Sequence, residues 1–391
     1  MSLSGNVDLF RRLLAPGRGR LSDYGRGATL RSPLVEVTDF GANPGNLQMF
    51  RFVPAQWQEP RSLVVVLHGC GQTAAGYDFG AGWSTLAKHF GFALLMPQQQ
   101  VSNNTNGCFN WFNPDDASRD SGEAASIREM IAHMAAQYGV DARRVFVTGL
   151  SAGGAMTTVM LATYPEVFAA GAVIAGLPYG IASSVRQALE GMFHSPTRSP
   201  SELGDLVRMA SYHSGAWPRI SVWHGSADRT VNPGNANEIV KQWLDVHGLP
   251  LAPMAEKTVD GYPHQVWWNA DGETIVESYT ITGMAHGTPI GTAENDERYG
   301  AQGPFLIEAG ISSSYRIAEF FGLTKWIRQR KKESPSAGLI PTASPLDGAP
   351  DRTKRARPRA AEKEPELEPR GRVDIGAAIT RALTAAGLIK Q

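Results

Sequence analysis

Six short apolar runs recur along the first three quarters of the chain, each ending at or close to a glycine or proline. They are LVVVLHG (63–69), FALLMP (92–97), VFVTGL (145–150), AGAVIAG (170–176), ISVWHG (220–225) and the longer, partly alternating ETIVESYTI (273–281). Continuous β-branched and leucine runs of this length read as strands buried on both faces. Between them, GEAASIREMIAHMAAQYG (122–139) sets Ala125, Ile127, Ile131, Met134 and Ala135 at mostly helical spacing. AGGAMTTVMLATYP (152–165) reads as a second helix stopped by Pro165. NANEIVKQWLDVHG (235–248) reads as a third, with Gly248 at a helix-stop position. Strands alternating with helices of 10–20 residues predict an α/β fold: a mainly parallel sheet with helices on both faces. No internal repeat appears.

The pattern changes after residue 325. From 331 to 391 there are 12 basic and 8 acidic residues, with seven prolines before Gly371 and blocks of like charge, RTKRARPR (352–359) and EKEPELE (362–368). Such a stretch cannot bury enough apolar surface to offset the entropy of ordering, so 326–372 is expected to be a disordered linker. The end, VDIGAAITRALTAAGLIK, places Ile375, Ile379, Ala382, Leu383, Ala386 and Ile389 on one helical face, with Asp374 as cap. A short amphipathic helix over 373–391 follows, docking on the body, a partner or a granule surface. The expected organisation is an N-terminal extension (1–30), a catalytic domain (31–325), the linker and the helix.

Composition narrows the function. The 391 residues are 42% apolar and 19% charged, and 37 basic side chains balance 37 acidic ones. With its tail set apart the body is slightly acidic, and no basic face for nucleic acid is read in it. No stretch approaches the ~20 apolar residues of a spanning helix. MSLSGNVDLFRRLLAPGRGR lacks the apolar core of a signal peptide, so the cytosol is the expected compartment. No CxxC, HExxH or Cys/His cluster suggests a metal. Cys70 and Cys108, the two cysteines, read by themselves as ordinary buried thiols.

The chemistry concentrates at Gly149-Leu-Ser-Ala-Gly153. The bare pattern G-x-S-x-G is weak, but here it follows the strand VFVT and opens the helix AGGAMTTVML, the strand–turn–helix setting of a nucleophile elbow. A tight turn there lifts the Ser151 hydroxyl into the open, above a helix N-terminus. An elbow serine needs a base and the base an orienting carboxylate, in the chain order Ser, acid, His of α/β-hydrolases. After Ser151 the histidines are 194, 213, 224, 247, 264 and 286. His286 lies in the loop TGMAHGTP just past the last of the six strands and is the candidate base. His224 reads as packing within a strand, His247 as a helix-end residue, and the others as loop residues. Asp228, three residues past ISVWHG, lies where open α/β sheets place their sites; Asp260 and Asp271 are its rivals. The oxyanion hole is assigned to the backbone N–H of Ala152 and that of Cys70 in the glycine-flanked loop His68-Gly69-Cys70-Gly71. His68 is expected to shape that loop.

The blocks LHGCGQTAAGYDFGAGWSTLAKHFGFALLMPQQ, NNTNGCFNWFNP, RVFVTGLSAGGAMTTVMLATYPEVFAAGAVIAGLPYG, SVWHGSADRTVNP, GMAHGTPI and GISSSYRIAEFFGL, spread over residues 34–324, together resemble the poly(3-hydroxybutyrate) depolymerase family of esterases. The resemblance implies an α/β-hydrolase fold and a serine-esterase triad. It falls on Ser151 in GLSAGG, Asp228 in GSADRTV and His286 in GMAHG. It further implies a pairing of Cys70 in HGC with Cys108 in CFNWF, bracing the oxyanion loop. Many members of that family are extracellular, which stands as the alternative to the cytosol. The expected partner is an ester substrate, a hydroxyalkanoate polymer or oligomer, and the chemistry calls for no cofactor. Trp111, Phe112, Trp267 and Trp268 are candidates to line the acyl site. The competing readings are an esterase for small acyl or feruloyl-type esters and a non-catalytic interaction protein on the same fold. The Ser–Asp–His order speaks against the second of these.

Overall fold

The computed structural model describes residues 32–324 except 58 and 296. The expected extension (1–30), linker (326–372) and C-terminal helix (373–391) lie outside the described residues.

The six apolar runs become β3 (Leu63–Leu67), β4 (Ala93–Gln98), β5 (Val145–Leu150), β6 (Ala170–Ile174), β7 (Arg219–Gly225) and β10 (Thr274–Ile281). They lie side by side and parallel in the order β4-β3-β5-β6-β7-β10. Because the side-chain period of a strand is two, Leu63, Val65 and Leu67 enter one core layer while Val64 and Val66 enter the other. On the first face pack α4 (Gly122–Tyr138), α5 (Ala152–Thr163) and α8 (Gly234–His247), through residues such as Ile127, Met156 and Ile239. On the other pack α1 (Ala74–Ala81), α2 (Trp83–Phe90) and α9 (Ser313–Phe320), through Tyr77, Leu86 and Ile317. Gly248 takes a left-handed conformation at the end of α8, the role its position in the sequence predicts.

The flanks were not legible as strands. β1 (Val35–Val37) and β2 (Gln48–Phe52) extend one edge antiparallel; β9 (Tyr262–Trp268) and β8 (Ala255–Val259) extend the other. Their sequences, QMFRF or AEKTV, mix polar with apolar residues because the edges of the sheet are only partly covered. A small parallel pair, β11 (Thr288–Ile290) with β12 (Leu306–Glu308), lies beyond β10. Two further helices, α6 (Val185–His194) and α7 (Pro200–Ser211), follow β6, and α3 (Pro114–Ala117) is a single turn before α4. A ten-stranded, centrally parallel sheet with helices on both faces is an α/β-hydrolase fold. Among the described residues no helix is long and apolar enough to cross a membrane.

Candidate active site

Ser151 stands between β5 and α5 with φ 57° and ψ −117°, a conformation that a non-glycine residue adopts only when its surroundings impose it. The imposition is visible. A Cβ on Gly149 would come within 2.4 Å of Gly153, and one on Gly153 would lie 2.3 Å from the Leu67 carbonyl oxygen. The two glycines of G-x-S-x-G are thus the residues that let α5 begin against the end of β3. The Ser151 N–H donates to the Ile174 carbonyl (2.8 Å), and the Ser151 carbonyl accepts from Ala155 N–H (2.8 Å), so the turn is held on both sides.

Two loops at the same rim supply the candidate acid and base. Ser226 N–H donates to Ile281 O (3.0 Å), Ala227 N–H to Met284 O (3.0 Å) and Gly283 N–H to Ser226 Oγ (2.8 Å). These bonds stitch the loop after β7 to the loop after β10. Gly225 makes the contact close: a Cβ there would meet the Met284 carbonyl oxygen at 2.3 Å. The result is a 2.6 Å hydrogen bond between His286 Nδ1 and Asp228 Oδ2, both side chains buried. Asp228 Oδ1 accepts from the N–H groups of Thr230 (2.8 Å) and Val231 (2.9 Å). Burial works against the charged carboxylate, but the hydrogen bonds from His224 and His286 outweigh it and hold Asp228 well below the usual carboxylate range.

The candidate oxyanion loop after β3 is pinned by side chain and backbone. Gly69 N–H donates to Gln72 Oε1 (2.9 Å) and Gly71 N–H to Asn106 O (2.9 Å). His68 Nε2 accepts from the Gln99 N–H (3.1 Å), so Nδ1 carries the hydrogen and donates to Gly69 O (2.8 Å). Burial pushes His68 down to about 4, which keeps this tautomer neutral. Cys70 and Cys108 form a disulfide that ties the loop to the segment before α3.

Sequence reasoning missed the support beneath that segment. Glu123, in the first turn of α4, is fully buried and accepts from Gln99 Nε2 (2.5 Å), Asn110 N–H (2.9 Å) and Asn110 Nδ2 (2.8 Å). Gln99 Nε2 also donates to Cys108 O (3.0 Å). Burial pushes Glu123 up to about 8 against the pull of these donors. A lone glutamate at a helix start reads as a dipole partner; that three amides converge on it is visible only in three dimensions.

His224 is buried within β7, as its place in a strand predicts, and its Nε2 also lies 3.2 Å from Asp228 Oδ2. Its position near a strand end, four residues before the candidate acid, was the available signal for that contact. The other histidines lie elsewhere. His247 Nε2 donates to Pro218 O (3.1 Å) at the opposite end of the sheet. His213 Nε2 contacts Ala216 O (3.1 Å), and His264 pairs with Glu277 (3.0 Å). Asp260 is held by Arg316 and Asp271 lies exposed in a turn.

The four aromatic candidates separate. Trp111 and Phe112 pack edge to face (5.6 Å between centroids) just past Cys108, and Trp111 shares a core layer with Ala152 and Met156. Trp267 and Trp268 are corrected by the register. Trp267 pairs with Val276, and Val276 with Ile220, the second residue of β7. That is the amino end of the parallel strands, on the order of 16 Å along the strand from Gly225. Trp267 is a core residue whose Nε1 donates to Ala252 O (3.0 Å). Two adjacent tryptophans on β9, which is paired on both sides, give no hint in the sequence of which end of the sheet they lie at. Among the described residues no group of three or more His, Cys, Asp or Glu side chains converges as a metal site.

Comparison with known proteins places the chain. Residues 49–261 match the family model described as esterase PHB depolymerase. The chain is 48% identical over 291 residues to poly(3-hydroxyalkanoate) depolymerase C of Paucimonas lemoignei, an alignment covering 74% of this chain and 70% of that protein. It is 35% identical over 275 residues to feruloyl esterase B of Neurospora crassa, covering 66% and 90% respectively. Among solved structures, the acetyl xylan esterase of Aspergillus awamori superposes with a TM-score of 0.63 at 29% identity, over 74% of this chain and 99% of that one.

Proposed function

The chain belongs to the PHB depolymerase family of esterases, and from that premise we propose that it hydrolyses poly(3-hydroxybutyrate) or its oligomers through Ser151, His286 and Asp228. In this reading Ser151 Oγ attacks the ester carbonyl while His286 Nε2, the nitrogen not engaged by Asp228, takes the proton. Asp228 holds the imidazole tautomer and stabilises the cation that forms. The N–H groups of Ala152 and Cys70 receive the negative charge on the carbonyl oxygen, each worth ~2.7–4 kcal/mol of transition-state stabilisation. The alcohol leaves with the proton of His286. Water, deprotonated by the same histidine, then attacks the acyl-enzyme, and release of the acid restores the Ser151 hydroxyl.

The observation that carries the mechanism is the buried 2.6 Å Asp228–His286 bond, held at the same strand ends as a serine with φ 57°. For the substrate, the higher identity to the hydroxyalkanoate depolymerase supports the polymer or oligomer reading. The second reading, a small acyl or feruloyl-type ester, is supported by the 90% coverage of the feruloyl esterase and by the acetyl xylan esterase superposition. The Cys70–Cys108 disulfide favours an extracellular site of action over the cytosolic one, where thiols are kept reduced.

The test pairs the wild type with Ser151→Ala on p-nitrophenyl butyrate, soluble 3-hydroxybutyrate oligomers and amorphous polymer. The wild type is expected to cleave the hydroxybutyrate substrates, and the variant to lose at least ~10⁴-fold in kcat on all of them. Cleavage of the small ester alone transfers the protein to the second reading. Activity surviving Ser151→Ala refutes the mechanism.

A further inference from the structure

Asp228 is held by more than His286. His224, four residues earlier, is the penultimate residue of β7, and its ring is buried. Its Nε2 lies 3.0 Å from the Val231 carbonyl oxygen and 3.2 Å from Asp228 Oδ2. Both neighbours are acceptors while Asp228 is ionised, so this nitrogen carries the ring hydrogen. Nδ1 is buried with no hydrogen-bond partner, and a hydrogen there would point at no acceptor. The contacts close a ring: His224 donates to the carbonyl of Val231, and the N–H of Val231 donates to Asp228 Oδ1. On the far side of Asp228 Oδ2 stands His286 Nδ1, at 2.6 Å. The titratable groups facing His224 through these contacts are therefore Asp228 and, across one shared oxygen, His286.

We propose that His224 is a positioning residue for hydrolysis, clamping the 228–231 turn shut through Val231 and setting its Nε2–H beside the carboxylate oxygen that orients His286. The inference rests on the reading of Asp228 and His286 as acid and base. Its physical content is twofold. The clamp fixes where Oδ2 sits. The N–H dipole draws negative charge from Oδ2, and so tempers the pull of that carboxylate on the positive charge that forms on His286 during turnover.

The experiment separates this role from packing. The side-chain amide of asparagine reaches the place of Nδ1 and that of glutamine the place of Nε2, so His224→Asn deletes the donor and His224→Gln restores one. His224→Asn is expected to move the acid limb of the kcat/KM–pH profile upward by about half a pH unit or more and to lower kcat roughly tenfold at neutral pH, with KM little changed. His224→Gln is expected to recover most of both. A lower melting temperature with an unmoved acid limb and unchanged kcat in His224→Asn overturns the proposal. Should that variant fail to fold, ¹⁵N NMR of the imidazole nitrogens in the wild type decides. A hydrogen on Nε2 with Nδ1 bare supports the clamp, and a hydrogen on Nδ1 overturns it. Loss of activity in Ser151→Ala beside a wild-type profile in His224→Asn refutes this inference alone. Full activity in Ser151→Ala refutes the reading beneath it.

Discussion

Two buried histidine–carboxylate pairs share one half of this sheet. His286 meets Asp228 at 2.6 Å in loops past the carboxyl ends of β10 and β7. His264 meets Glu277 at 3.0 Å in the middle of β9 and β10, and a serine is close by, Ser221 on β7. By residue type the second group has the makings of a Ser–His–Glu triad, yet its bonds are spent inward. Ser221 Oγ donates to Glu277 Oε1 (2.7 Å) and accepts from Trp223 Nε1 (2.8 Å). One face of His264 is stacked on Tyr279 at 4.0 Å, and Tyr279 is stacked on Trp223 at 3.7 Å, the three rings being direct neighbours across adjacent strands. The serine hydroxyl has given its hydrogen to the acid and the imidazole is covered by a ring. Such a network occupies Ser221, both Glu277 oxygens and the Trp223 N–H, leaves His264 Nδ1 buried without a partner, and ties three strands together. At the rim, by contrast, one oxygen of the carboxylate is anchored by backbone N–H groups of its own loop, and the other lies between His224 near the end of β7 and His286 on another loop. The candidate catalytic pair differs from the structural one in what its atoms are still able to bond.

The contrast is broken or sharpened most strongly by neutralising each carboxylate. Asp228→Asn is expected to lower kcat by ~10⁴-fold, because the amide favours the wrong tautomer of His286, with the fold retained. Glu277→Gln is expected to leave kcat within about threefold and to lower the melting temperature by several degrees, from about 1–3 kcal/mol of mismatched buried hydrogen bonds. Ester hydrolysis and thermal melts on both variants check this; a large kcat loss in Glu277→Gln erases the distinction. A smaller effect is expected at the disulfide. Cys70→Ser with Cys108→Ser loosens the candidate oxyanion loop but leaves Gly69 and Gly71 on their partners, so a roughly 10- to 100-fold fall in kcat with KM nearly unchanged is expected, part of one donor's worth. Steady-state kinetics with and without reductant read it out.

The smallest effect concerns Glu123 and pH. Its folded-state value of about 8 exceeds the ordinary 4.5, so the folded chain keeps this proton where the unfolded chain has lost it. The associated stability is fully present below pH ~4.5 and declines as pH rises to about 8. Asp228, held below its ordinary range, has the opposite sign: its contribution is present above the ordinary carboxylate range and lost on acidification. Melting temperatures of wild type and Glu123→Gln, measured from pH 5 to 9, are expected to diverge. The wild type falls relative to the variant up to about pH 8, with no further change above it. Parallel curves contradict the assignment.

The sequence by itself determined the parallel core and the candidate catalytic centre. Short apolar runs bounded by glycine or proline read as strands buried on both faces, and the six such runs are the six parallel strands of the main sheet. The close approach at Gly149 and Gly153 is written in the G-x-S-x-G pattern, because a Cβ at either would strike backbone. Asp228 and His286 were legible because each follows a readable strand within a few residues. The antiparallel edges were not legible, since a half-covered strand such as AEKTV carries no run to read.

Only the tertiary structure decided which of several chemically similar groups meet. It carried Trp267 to the far end of the sheet by a register that no local pattern encodes. It brought the amides of Gln99 and Asn110 onto Glu123, set His224 beside Asp228, and enclosed His264 between Glu277 and Tyr279. Local sequence sets φ, ψ and which face is apolar. Hydrogen-bond partners tens of residues apart are set by strand order and register, which are properties of the whole sheet.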